Sequence, residues 1–217
     1  MLTPSKTKRK NTQSDKALMR IQNAIVDGEL RPNQRLLESQ LSAQLKMSRT
    51  PVREAIIRLQ AMGLLNLLPG GGIAVAENTP KQLKDIFEIR EVLESLVAKD
   101  FCEHAPEKQI SKAEEYNRLS GEAARNNNLD EYGRYFTLFH DAILEGCSNE
   151  ILVTLVRWTR DLLFERRIAS VLSINEILRA VKKRETGFEA YRQRNSVRAQ
   201  KLVKEYIRWQ ARVSQRL

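Results

Sequence analysis

Two hydroxyls and two arginines crowd the start of one stretch, Ser48-Arg49-Thr50-Pro51-Val52-Arg53-Glu54-Ala55-Ile56-Ile57-Arg58-Leu59. Hydroxyls and guanidinium groups donate to phosphate oxygens and guanine edges, and a helix N-terminus adds partial positive charge. The chemistry that suits these residues is recognition of a nucleic acid, not bond making. Their spacing predicts a helix: Ser48 stands where a cap satisfies the first free N–H groups, and Val52, Ile56 and Leu59 recur on one face. Arg49, Arg53 and Arg58 fall largely away from that stripe. A solvated helix kept soluble by its arginines has the same pattern, so the neighbouring elements decide.

Upstream, residues 36–45 read as a short amphipathic helix with Leu37, Leu41 and Leu45 at four-residue spacing, and Lys46-Met47 turns briefly into Ser48. Two helices joined this tightly predict a helix-turn-helix whose second helix enters the major groove. Downstream, Gly63 closes that helix. Residues 64–68 and 73–76 then read as two strands around Pro69-Gly70-Gly71-Gly72, the wing of a winged helix-turn-helix. Ahead of the pair, Ser14 is the predicted cap of a supporting helix with Leu18, Ile21, Ala24 and Ile25, ended by Gly28. Residues 1–13, with Lys6, Lys8, Arg9 and Lys10, read as a disordered basic arm. Such an arm either trails along DNA or simply solubilises the chain.

Charge follows the same division. Residues 1–76 hold 12 Lys and Arg against 5 Asp and Glu, a net +7, while residues 77–217 hold 25 against 22, a net +3. The basic excess lies with the helix-turn-helix, as an electrostatic footprint for nucleic acid does. A chain of 217 residues with 41% hydrophobic content is long enough for two cores. No run approaches the roughly 18–20 apolar residues that span a bilayer, and no signal-peptide core opens the chain. Cys102 and Cys147 form no CxxC pair and read as free thiols in a reducing cytoplasm. After a linker at 77–80, residues 81–217 read as six antiparallel helices, about 80–103, 107–126, 129–147, 149–171, 175–193 and 195–214. The predicted fold class is mainly α: a winged helix-turn-helix at 14–76, then an all-α bundle for dimerisation and effector binding. No nucleotide loop, nucleophile elbow or carboxylate pair is present, and two scattered histidines offer no catalytic constellation. The chain reads as no enzyme.

The residues from Gly28-Glu29-Leu30-Arg31-Pro32 through Ser48-Arg49-Thr50-Pro51-Val52-Arg53-Glu54-Ala55 to Gly72-Ile73-Ala74-Val75 resemble the GntR family of bacterial transcription regulators. Asp85-Ile86-Phe87-Glu88-Ile89-Arg90-Glu91-Val92-Leu93-Glu94, Phe139-His140 and Ser148-Asn149 resemble the FCD domain of its FadR-type subfamily. The resemblance implies a cytoplasmic, nucleoid-associated repressor. It would bind a short palindromic operator in double-stranded DNA as a homodimer and respond to a metabolite in the helical domain. It places DNA contacts at Ser39, Ser48, Arg49, Thr50 and Arg53, with wing backbone from Gly70 and Gly71. Gly71 stands where an arginine often precedes the last wing glycine.

Many FCD domains, by the same resemblance, hold a divalent metal on an Asp, a His four residues on, and two more His on the last two helices. This chain has only His104 and His140. Helical register, with 11 residues counted either way from Asn195, puts Phe136, His140, Arg184 and Tyr206 at those positions. The metal is therefore predicted lost, leaving no cofactor. Arg184 can grip a carboxylate or phosphate in a two-pronged contact, with Phe136, Phe188 and Tyr206 as walls. Arg90 either reaches this pocket or pairs with Glu94, four residues on. The expected effector is an anion with an apolar part, an organic acid or an acyl-CoA ester. Against it stands a bundle in which the aromatics fill a collapsed core, Arg184 faces water, and the domain only dimerises. A general nucleic-acid binder is the further rival, distinguished by strong salt dependence without operator preference.

Overall fold

Thr12, not Ser14, opens the first helix, α1 (Gln13–Val26). Its hydroxyl accepts from the Asp15 amide while the Asp15 carboxylate accepts from the Thr12 amide, a reciprocal cap of two free donors. Ser14 is buried one residue inside the helix, so the cap lies two residues earlier than its sequence signal, and Thr12 and Gln13 leave the predicted arm. The computed structural model describes residues 12–163 and 172–214; residues 1–11 of that arm lie outside the described residues. Ala17, Leu18, Ile21 and Ile25 make the buried face of α1.

After α1 come β1 (Arg35–Leu36), α2 (Glu38–Leu45), α3 (Arg49–Ala61), β2 (Leu65–Leu67) and β3 (Ile73–Val75). The sheet order is β1-β3-β2, all antiparallel, with Leu36 opposite Ile73 and Leu65 opposite Val75. The predicted leucine stripe of α2 is corrected here. Leu37 is 53% exposed and Leu45 half-buried, while Leu41 alone of the three is buried. The chain is still extended at Leu36 and Leu37, so Leu36 points inward from β1 and the alternation of a strand sends Leu37 outward. Lys46 then takes the left-handed conformation (φ 54°), and the Met47 amide donates to the Ser42 carbonyl at 3.0 Å, closing the turn between α2 and α3.

Contacts divide the chain after Glu77. The second unit begins with α4 (Pro80–His104), where Pro80 occupies a first-turn position that needs no N–H and Thr79 forms a capping box with Gln82. It continues with α5 (Glu107–Arg125), α6 (Leu129–Glu145), α7 (Glu150–Leu163), α8 (Ile174–Arg192) and α9 (Ser196–Ser214). The part of the fourth predicted helix at 164–171 lies outside the described residues. α4 packs on α9 and α7, and α5 lies against α6 and α8.

Two contacts fix how these helices meet. Asp100 on α4 accepts from the Ser148 amide (2.7 Å), the Ser148 hydroxyl (2.6 Å) and the Asn149 amide (3.1 Å) just ahead of α7. Burial opposes its charge, but these bonds hold its carboxyl below the usual range. Phe101, fully buried, stands edge-on to Tyr191 at 5.0 Å between centroids. The same ring covers Gly146, where an added Cβ would lie 2.5 Å from a Phe101 carbon.

Candidate nucleic-acid interface and helical-domain pocket

In the winged unit, α3 is anchored by Val52, Ala55, Ile56 and Leu59, all buried, and exposes Arg49, Thr50 and Arg53. Ser48 sits at the N-cap position, but its side chain makes no cap hydrogen bond. The expectation that it caps α3 is therefore corrected: its hydroxyl and the first-turn amides stay available to an outside acceptor such as phosphate. Ser39 is exposed on the first turn of α2. Arg58 faces elsewhere, pairing with Asp15 of α1 at 2.7 Å. The hydrogen bond from Arg58, helped by those from Thr12, holds the Asp15 carboxyl at about 2.

The wing is built of backbone. Gly70, Gly71 and Gly72 have φ of 84°, 92° and 97°, a conformation L side chains rarely adopt. Gly71 donates its amide to the Leu68 carbonyl, and Leu68 donates to the Gly72 carbonyl, both at 3.0 Å. The Gly71 N–H is thus engaged inside the turn. Gly70 keeps its place at the tip. No basic residue occurs between Leu59 and Pro80, so the wing brings no cation of its own.

In the helical unit, Arg184 is 6% exposed and does not face water. Its Nε donates to Asn117 Oδ1 at 2.6 Å, Nη1 to the Tyr206 hydroxyl at 3.2 Å and Nη2 to the Ser120 hydroxyl at 3.2 Å. Its guanidinium carbon lies 5.1 Å from the centroids of both Phe136 and Phe139, within cation–π reach. All of these partners are neutral. A buried permanent cation on neutral acceptors alone is costly unless a counter-charge joins it.

Glu94 answers two other arginines instead. It accepts from Arg90 at 2.9 Å and from Arg160 Nε and Nη2, each at 3.1 Å. Burial opposes its charge, but Arg160 and Arg90 outweigh that and hold its carboxyl at about 2. His140 is packed against Phe136 (4.4 Å) and Phe139 (4.8 Å). Its Nε2 is buried without a hydrogen-bond partner among the described residues. Burial first, then Arg160, Arg184 and Arg90, push its pKa well below the ordinary value, so the ring is neutral.

A cavity of ≈ 50 Å³ is lined by Glu94, His140, Arg160, Arg184, Phe188 and Tyr206, with apolar neighbours and Lys183. Phe136 and Arg90 line a separate void of ≈ 20 Å³, which Tyr206 also borders. Four of the six pocket residues read from the sequence thus line the ≈ 50 Å³ cavity, and Phe136 packs against two of them, Arg184 and His140, without lining it. Arg90 takes the pairing with Glu94. Sequence reasoning missed Arg160, Asn117 and Ser120, whose positions no motif marks. The cavity is smaller than the roughly 300–1,000 Å³ of pockets that hold drug-sized ligands.

A divalent metal does not fit either. Phe136 has no donor, Arg184 is a permanent cation, and the charges of Arg160 and Arg184 act on the single imidazole of His140. Among the described residues no group of three or more His, Cys, Asp or Glu is placed to hold one. No described helix is long and apolar enough to cross a membrane.

Comparison with known proteins agrees with both units. Residues 13–75 match the gntR family of bacterial regulatory proteins, and residues 85–208 match the FCD domain. The chain is 26% identical to the HTH-type transcriptional regulator YdhC of Bacillus subtilis over 84% of its length and 82% of that protein's. It is 27% identical to the HTH-type transcriptional repressor GlaR of Escherichia coli, over 86% and 89%. Among solved structures, E. coli McbR/YncC superposes with a TM-score of 0.81 at 22% identity, covering 94% of this chain and 98% of that one. A regulator from Rhodococcus sp. RHA1 gives 0.74 at 22% identity, over 93% and 97%. With a winged helix-turn-helix that exposes arginines and hydroxyls at the start of α3 and an FCD domain following it in the sequence, the chain belongs to the gntR family of bacterial regulatory proteins: it is a DNA-binding transcriptional regulator, not an enzyme.

Proposed function

We propose that this FadR-type regulator binds a short palindromic operator as a homodimer, represses transcription there, and changes its grip when a small organic anion enters the cavity beside Arg184. The observation that carries the anion is Arg184 itself, buried and, among the described residues, hydrogen-bonded to the neutral oxygens of Asn117, Tyr206 and Ser120. A space of ≈ 50 Å³ suits a carboxylate bearing few further heavy atoms and holds only a few waters when none is bound. The neutral His140 Nε2 supplies a second polar contact.

The homodimer is supported by an apolar face. Ile89, Val92 and Leu96 form an exposed stripe on α4, and Ile151, Leu155 and Trp158 form another on α7, the helix packed beside it. Covering such a face with a second copy buries it and sets two α3 helices in a two-fold arrangement that a palindrome matches. Operator contacts then fall to Arg49 and Arg53 at base edges and phosphates, with Ser39, Ser48, Thr50 and the Gly70 backbone fixing the register. The cytoplasm, with the nucleoid as binding surface, is where such a protein acts.

The test is a thermal-shift titration of the purified protein with sodium acetate, longer carboxylates, acyl-CoA esters and divalent metals, repeated on Arg184→Gln. Small carboxylates raise the melting temperature of the wild type and leave Arg184→Gln unmoved. If no anion stabilises the wild type, the bundle is a dimerisation module alone.

A further inference from the structure

Glu77 and Asn78 are neighbours, and each side chain is tied within a different unit. Glu77 Oε2 accepts from Asn33 Nδ2 at 2.6 Å, and Asn33, itself left-handed at φ 58°, donates its amide to the Val75 carbonyl of β3 at 3.0 Å. Asn78 Nδ2 donates to the Leu162 carbonyl of α7 at 2.6 Å. The chain therefore passes from one unit to the other across a single peptide bond with an anchor on each side. Thr79 follows at once as the cap of α4.

The bundle-side anchor leads straight to the cavity. Leu162 lies two residues beyond Arg160 on α7, and Arg160 both lines the cavity and holds Glu94 of α4 by two bonds. Leu163, the next residue, is buried with Phe87 of α4 and Ile207 of α9. Few side chains thus separate the cavity wall from the residue where the chain leaves the bundle.

We infer that occupancy of the cavity is relayed to the winged domain through Arg160 and the Asn78–Leu162 hydrogen bond, an inference that rests on the anion reading of the cavity. An anion between Arg160 and Arg184 is attracted to both guanidiniums and repelled by the Glu94 carboxylate. Arg160 then shares its donors with the anion, and its two-pronged hold on Glu94 loosens. That hold clamps the C-terminal part of α7 to α4, so loosening it shifts the Leu162 carbonyl relative to the start of α4. Asn78 follows its acceptor or loses it. Either outcome alters how firmly the chain is directed at the 77–78 peptide. The ligand acts because it favours one of these two arrangements, and couplings of this kind change affinity about 5- to 150-fold.

The experiment is a double-mutant cycle on operator affinity, using the full chain and an operator duplex selected from random sequence, at fixed salt. Arg160→Lys keeps the charge but cannot make the two-pronged contact, and Asn78→Ala removes the relay. Arg160→Lys alone changes the operator Kd by about fivefold or more, and in the Asn78→Ala background the same change shrinks below about twofold. Thr79→Ala, which weakens the adjacent cap without touching Leu162, leaves the Arg160→Lys effect at full size. Glu94→Asp, which loosens the same pair from its other side, gives a second series should Arg160→Lys fail to fold. Equal factors in both backgrounds, or an Arg160→Lys protein that binds the operator as the wild type does, overturn the relay. Acetate thermal shift is read in parallel. A non-additive cycle without an acetate shift keeps the relay and removes the anion, and an additive cycle with a shift does the reverse.

Discussion

Arg184, His140 and Tyr206 lie on three different helices, and it is the resemblance to the FCD domain, through the positions of its metal ligands, that implies they share a site. Within that resemblance, their positions follow by counting from His140 and from Asn195 at the helix junction. Arg160, Asn117 and Ser120 were not legible: which face of α5 or α7 meets α8 depends on how the helices cross, and periodicity within one helix carries no record of that. Arg53 gives the plainest residue-scale outcome. Arg53→Ala weakens operator binding by about 1–3 kcal/mol for each half-site and leaves the melting temperature unchanged, since its side chain is exposed. Fluorescence anisotropy at moderate salt reads this, and unchanged affinity sinks the role. His140 gives a pH outcome. A free imidazole titrates near 6.5, whereas the buried ring stays neutral far lower. Between those two values the unfolded chain binds a proton that the folded chain refuses. Stability therefore falls as pH falls from 6.5, by at most about 1.4 kcal/mol per unit. Glu94 works in a lower window: its contribution is present above its ordinary 4.5 and is lost as pH falls toward about 2. Urea midpoints against pH should lose their upper slope in His140→Gln and keep the lower one.

At the scale of elements, Pro80, the Asn126-Asn127-Asn128 break and Gly146 marked the bundle helices almost to the residue, because caps and stops are local chemistry. β1 was invisible for the opposite reason: two residues, Arg35 and Leu36, carry no alternation, and their strand exists only because β3 offers an edge to pair with. The same locality explains Ser14 and Thr12. Both can cap, and the Asp15 carboxylate three residues after Thr12 selects the earlier one. Gly146 shows a constraint that sequence did not reveal, since it reads as a helix stop yet its φ of −84° suits any residue. Close approach of the Phe101 ring demands glycine there. Gly146→Ala should cost about 1–3 kcal/mol as overpacking, seen as a lower denaturation midpoint. Phe101→Leu in the same chain should recover part of that loss, and simple additivity of the two would refute the clash.

For the whole molecule, the exposed stripes on α4 and α7 predict a mass of two chains in solution. Val92→Asp puts a charge at a position 58% exposed in the single chain, where it disturbs little of the monomer but opposes burial against a second copy. Sedimentation should then report one chain at concentrations where the wild type reports two, and operator affinity should fall with it. A Val92→Asp protein that remains a dimer would move the interface elsewhere. The division into two units was legible from the shift in charge and the change from strands to uninterrupted helix. How they are joined was not, because the Glu77–Asn33 and Asn78–Leu162 bonds span 44 and 84 residues. That junction also tells an engineer where to cut. Each anchor belongs wholly to its own half, so a chimera spliced between Glu77 and Asn78 inherits one intact fastening from each parent. A seam two residues to either side moves Glu77 or Asn78 to the wrong parent and leaves its partner facing a stranger's side chain.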